Sequence, residues 1–129
     1  MEVPDNIVDT IESNKLKQEK RDAEYNNISL HRVAGMEREA GEDIDEAIIE
    51  YAESIRLGED AENDMYHAFA HSYARIIILL DKVKRYAEEI DYIEALLNRS
   101  ISDSDRQKYS SRLEKTKEKL KKQCERGSI

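Results

Sequence analysis

Twice along this 129-residue chain, two apolar stripes at helical spacing face each other across a short turn. The first pair runs from about Ile28 to Leu57 and turns at Gly41-Glu42-Asp43. The second runs from about Asn63 to Asn98 and turns at Lys84-Arg85-Tyr86. The second helix of each pair carries a similar signature, Asp45-Glu46-Ala47-Ile48-Ile49-Glu50-Tyr51 in one and Ala87-Glu88-Glu89-Ile90-Asp91-Tyr92-Ile93 in the other. One proline and four glycines leave little to interrupt these helices. A lone helix pair buries only part of its apolar surface and completes a core by stacking on its neighbour. The expectation is therefore an all-α fold of antiparallel helical hairpins.

The detail of the pattern places the elements. Asp43 reads as the N-cap of the second helix, with Glu46 three residues on in a box-like arrangement. Gly41 reads as the left-handed stop of the preceding helix, and Gly58 as the end of the following one. Ile44, Ala47, Ile48, Tyr51 and Ile55 share one face at spacings that suit a helix and not a strand. From Tyr66 to Val83 the apolar positions Tyr66, Phe69, Ala70, Tyr73, Ile76, Ile77 and Leu80 keep a 3.6-residue period, and Ile78 and Leu79 widen the stripe. A helix so broadly apolar predicts neighbours on more than one side. Ser102, with Asp105 three residues later, marks the start of a last helix. That helix has a narrow stripe of Tyr109, Leu113, Leu120 and Cys124, as a terminal capping helix requires. Residues 12–24 are almost wholly polar and fit either a solvated helix or disorder. The organisation expected is a polar N-terminal segment over 1–24, a helical domain over 25–124 and a frayed tail over 125–129.

Charged residues make up 39% of the chain, well above the roughly 25% of ordinary globular proteins, so the core must be thin. The net charge of -8 is unevenly placed: residues 34–65 hold 2 basic and 12 acidic residues, whereas 98–129 hold 10 basic and 5 acidic. Such poles attract within one chain or head to tail between copies. Phosphate binding by a nucleic-acid protein needs net positive surface, which disfavours nucleic acid as a partner. The single cysteine, Cys124, allows no disulfide within the chain and suits a reducing compartment. The acidic start shows no signal-peptide core, and the longest apolar run, Ile76 to Leu80, is five residues against about 20 for a membrane span. The expectation is a soluble, cytoplasmic protein with no membrane partner.

Ala47 and Tyr51 with Gly35, and Tyr73 with Tyr86, make the chain resemble the tetratricopeptide repeat family, in a degenerate form similar to that of small bacterial and phage proteins. In that family a small residue is followed four positions later by an aromatic, in helix pairs of about 34 residues. The departures are His31 and Arg38 at two aromatic positions, Glu89 in place of the second small residue, and a spacing of 42 residues between Ala47 and Glu89. The resemblance covers roughly residues 28–122. It implies a short right-handed array ending in the capping helix. It also implies that the first helix of each pair lines a concave face that binds a peptide or a partner helix. Carried over by position, that face comprises Arg32, Met36, Glu39, His71, Ala74, Arg75, Ile78 and Lys82.

Chemistry finds less support. His67 and His71 are four apart behind Asp64, a spacing that suits two ligands on one metal, but Ala68-Phe69-Ala70 between them supplies no general base. The acids around Asp43 and Asp60 fit helix caps and first turns better than a cation loop. Cys124 lies near Lys121, Lys122 and Arg126 with no histidine nearby in sequence. Gly35, Gly41, Gly58 and Gly127 form no phosphate loop. The reading is a non-catalytic protein–protein interaction module with no cofactor and no metal. Self-association of the acidic middle with the basic C-terminal helix is the alternative, and a small enzyme the weaker one. A charged Arg75 within the apolar run from Tyr73 to Leu80 needs a carboxylate or water at its head, and Asp45, Glu46 and Glu89 are the carboxylates expected within reach.

Overall fold

A computed structural model describes residues 5–127, with side chains from residue 10 onward. Among the described residues five helices account for the regular structure: α1 (Asp5–Ala40), α2 (Ile44–Asp60), α3 (Tyr66–Lys82), α4 (Tyr86–Leu97) and α5 (Asp103–Gly127). Each helix from α2 onward packs on the one before it, and α1 also reaches α3. No break separates residues 24 and 25, because α1 is one helix of 36 residues. The expected segment boundary is thus a change of surroundings and not of backbone. Up to Ala23 the described side chains are exposed; polar contacts with the α2–α3 connector begin at Lys20 and Glu24, and the first buried side chain is Ile28. The frayed tail is likewise helical to Gly127, and residues 128–129 lie outside the described part.

The α3 stripe forms the centre. Phe69, Tyr73, Ile76, Ile77, Leu79 and Leu80 are all buried, between Ile48, Tyr51 and Ile55 of α2 on one side and Ile93 and Leu96 of α4 on the other. Burying each such aliphatic side chain contributes about 1.5–3 kcal/mol, which makes this helix the main source of stability. A buried polar chain crosses the same layer. Ser72 Oγ donates to Ser54 Oγ (2.9 Å), and Ser54 Oγ donates to the Ile28 carbonyl (3.0 Å), so α3, α2 and α1 are fastened without an unsatisfied hydroxyl.

Both hairpin turns are the same device. At the first, the Asp43 amide donates to the Arg38 carbonyl (2.9 Å) and the Glu42 amide to Glu39 (3.0 Å). At the second, Arg85 donates to Leu80 (2.8 Å) and Lys84 to Asp81 (3.0 Å). These paired bonds are the Schellman arrangement, which needs one left-handed residue just past the helix. Glu42 (φ 61°) and Lys84 (φ 63°) fill that place. Gly41 therefore does not supply the left-handed residue, because the helix runs one position further than the glycine suggests. Glu42 and Lys84 are 42 positions apart, the same offset as Ala47 and Glu89.

Glycines serve close approach instead. A Cβ on Gly35 would lie 2.7 Å from the Tyr51 ring, where α1 and α2 cross. One on Gly58 would lie 2.2 Å from Phe69, so Gly58 sits inside the last turns of α2, packed under the ring, and does not end the helix. Asp43 does cap α2, its Oδ1 accepting from the Glu46 amide at 3.4 Å. The reciprocal half of the capping box is absent, since the Asp43 amide is already engaged by Arg38. Ser102 caps α5 through the Asp105 amide (3.1 Å).

The last helix docks through charge. Arg112 Nε donates to Glu89 Oε2 (2.9 Å) and Thr116 Oγ1 to the same oxygen (3.1 Å), while Lys119 Nζ reaches both oxygens of Asp81 (3.1 and 2.8 Å). Glu89 is fully buried, where the first hairpin has Ala47. At the other end Arg99 lies over the Tyr66 and Phe69 rings (4.7 and 5.1 Å) and pairs with Glu59 and Asp64. Three of the ten basic residues of 98–129, Arg99, Arg112 and Lys119, are thus paired with carboxylates of other elements.

Candidate functional site

The first helices of the two hairpins, α1 and α3, lie side by side, and two adjoining hollows run along their junction. One, of about 400 Å³, is lined by Met36, Glu39, His71 and Arg75 with Ala40 and Tyr51. The other, of about 650 Å³, continues past Glu39 and Arg75 to Ile78 and Lys82, with Glu42, Ile44 and Leu79. Of the residues placed on the concave face from sequence, Met36, Glu39, His71, Arg75, Ile78 and Lys82 are brought together here. Arg32 stands beside Met36, its Nη1 3.8 Å from the sulfur, and the half-buried Ala74 lines neither hollow.

Arg75 and Glu39 form the wall between the two hollows. Arg75 Nε donates to Glu39 Oε1 (3.0 Å), and Nη2 donates to Oε2. The carboxylate that meets Arg75 is therefore Glu39 on α1, and not Asp45, Glu46 or Glu89. Glu39 is the second-last residue of α1 and lies across from the middle of α3. Tyr51 Oη adds a third hydrogen bond to Glu39 Oε1 (2.9 Å). The guanidinium holds the Glu39 carboxyl below the usual carboxylate range. Burial, followed by the neighbouring Glu39, pushes the Tyr51 hydroxyl upward, so it stays a donor. This fork is rigid and internally neutral, and it leaves little for Arg75 to offer a ligand.

The unpaired features of the surface are apolar. Met36 and Ile78 are 43% and 40% exposed on either side of the fork. His71 and Lys82 stand at the two ends. The Tyr51 ring, read from sequence as core, also lines the groove and meets His71 edge-on at 6.3 Å. His67 stacks on Tyr25 (5.8 Å, 24°), and no group of three His, Cys, Asp or Glu among the described residues is placed to hold a metal ion. No helix among them is long and apolar enough to cross a membrane. The arrangement offers anchors and fixed charges but no nucleophile paired with a base.

No family model, curated protein or solved structure matches this chain.

Proposed function

We propose that this chain is a non-catalytic protein-interaction module, a degenerate tetratricopeptide-like pair of stacked hairpins closed by α5. The α1–α3 groove takes a partner helix or an extended peptide. The observation that carries this reading is the exposure of Met36 and Ile78 in two adjoining hollows whose shared polar wall is already satisfied. Solvated apolar side chains flanking a rigid fork are suited to receive an apolar anchor residue. Two features support the repeat organisation: the contact between α1 and α3 and the identical turns at a 42-residue offset. Arg32, His71 and Lys82 favour a partner with carboxylates beside its apolar anchors. The single exposed cysteine suits the cytoplasm as the working compartment.

Capture from a lysate of the native host tests the groove when three baits are compared. The wild type should retain a partner that Met36→Asp/Ile78→Asp loses. Ile49→Asp, at an exposed isoleucine of α2 that lines neither hollow, should keep it. Equal capture by all three baits would place binding elsewhere.

A further inference from the structure

A second site lies where the α3–α4 turn meets the last turns of α5. Lys84, Lys119, Lys122 and Arg126 converge there on a cleft of about 370 Å³ that Tyr86 and Gln123 complete. The cleft is held in shape from two sides. Gln123 Nε2 donates to the Lys84 carbonyl (3.0 Å), and Asp81 grips Lys119, whose ammonium stands 5.9 Å from the centre of the Tyr86 ring. Asp81 balances Lys119. Among the described residues, no carboxylate is within ion-pair distance of Lys84, Lys122 or Arg126. In a chain with 29 acidic residues, three unpaired cations around one cleft repel one another and leave a local positive field that an anion would relieve.

We propose that this cleft binds a small phosphorylated molecule bearing a planar ring, with the phosphate among Lys84, Lys122 and Arg126 and the ring against Tyr86. Arg126 supplies the forked geometry that matches phosphate oxygens, and the two lysines supply point charge. The volume falls within the range of small-ligand sites. On the α4 side the positive patch ends: next to Lys84, Arg85 is paired with Glu88 and lies close to Asp45, so the surface turns acidic there. A polymer of phosphates would need the cationic track to continue. The proposal is independent of the α1–α3 groove.

Isothermal titration of the full chain with AMP, ribose 5-phosphate and inorganic pyrophosphate at low ionic strength tests it. AMP should bind saturably with one site, and more tightly than ribose 5-phosphate. Lys122→Gln/Arg126→Gln, at two exposed positions, should weaken AMP at least about tenfold. Lys117→Gln/Lys121→Gln removes the same charge from another face of α5 and should leave the affinity unchanged. Equal weakening by both pairs would reduce the effect to net charge and overturn the site. Absence of saturation by millimolar AMP would overturn it as well, and equal affinity for AMP and ribose 5-phosphate would remove the ring from the proposal. Concentration-dependent sedimentation abolished by Lys122→Gln/Arg126→Gln would assign the cleft to an acidic segment of a second copy instead.

Discussion

Glu39 and Glu89 both hold a carboxyl group partly or wholly away from water, yet their neighbours differ. Glu39 faces Arg75 and a tyrosine hydroxyl, which favour its charged form and lower its pKa. Glu89 is raised, chiefly by burial; Arg112 and Thr116 satisfy only one of its oxygens, and the negative charge of Asp81 adds to the upward shift. Burial pushes Asp81 up as well, but Lys119 and Glu89 outweigh it, so Asp81 is lowered while Glu89 is raised. The two glutamates therefore shape stability with opposite signs. The Glu39 contribution is complete above the ordinary carboxylate range and is lost as pH falls through its lowered pKa. The Glu89 contribution is complete below the unfolded value near pH 4.3 and is lost as pH rises through its raised pKa. Arg75→Ala should cost about 1–2 kcal/mol at neutral pH, a charged hydrogen bond discounted for partial exposure, and should flatten the acid limb of the stability profile. Glu89→Gln should behave oppositely, gaining on the wild type as pH rises from about 4 to about 8. Denaturant melts across that range measure both. A loss that grows with pH in Glu89→Gln would mean that Glu89 works as a charged anchor.

At the scale of the element, the glycines distinguish turn from crossing. Gly41→Ala should be neutral or stabilising by up to about 1 kcal/mol, because its φ is not positive and an added Cβ meets nothing closer than 3.6 Å. Gly35→Ala must displace the Tyr51 ring and should cost about 1–3 kcal/mol in the same melts. A costly Gly41→Ala would restore the glycine as the left-handed residue of the turn. This contrast shows where sequence is informative. The α3 stripe was legible, because seven apolar positions over five turns repeat with one period. The Asp43 and Ser102 caps were legible from side-chain chemistry at fixed spacing. The glycine roles were not, since a glycine that stops a helix and one that lets an aromatic ring approach look alike in one dimension. The length of α1 was hidden because residues 12–24 carry no apolar stripe to betray their helix. At the candidate groove, no signal of their own in the sequence marked Met36, Glu39, His71, Arg75, Ile78 and Lys82 as groove residues; they came from the resemblance, carried over by position. The Glu39–Arg75 fork did not, because a contact across 36 residues depends on how α1 and α3 align. The cationic cleft was visible only as the basic bias of residues 98–129.

Across the whole molecule, stability is unevenly distributed. Residues 10–23 of α1 are exposed, whereas α3 is enclosed by α1, α2 and α4. Amides of residues 10–23 should exchange with solvent orders of magnitude faster than those of Phe69 to Leu80, which open only with global unfolding. Comparable protection in both would indicate that the first part of α1 is covered in solution, most simply by a second copy. The central claim is that the α1–α3 face is a working surface and not an extension of the core, and the adjacent residues Ile77 and Ile78 separate these outcomes. Ile77 is fully buried, and its truncation to alanine should cost about 2–5 kcal/mol. The most direct measurement is the affinity of the captured partner for Ile78→Ala, with the denaturation midpoint of the same protein as its control. The account predicts binding weakened at least about tenfold and stability within about 0.5 kcal/mol of the wild type. Unchanged affinity, or a stability loss as large as that of Ile77→Ala, would contradict it.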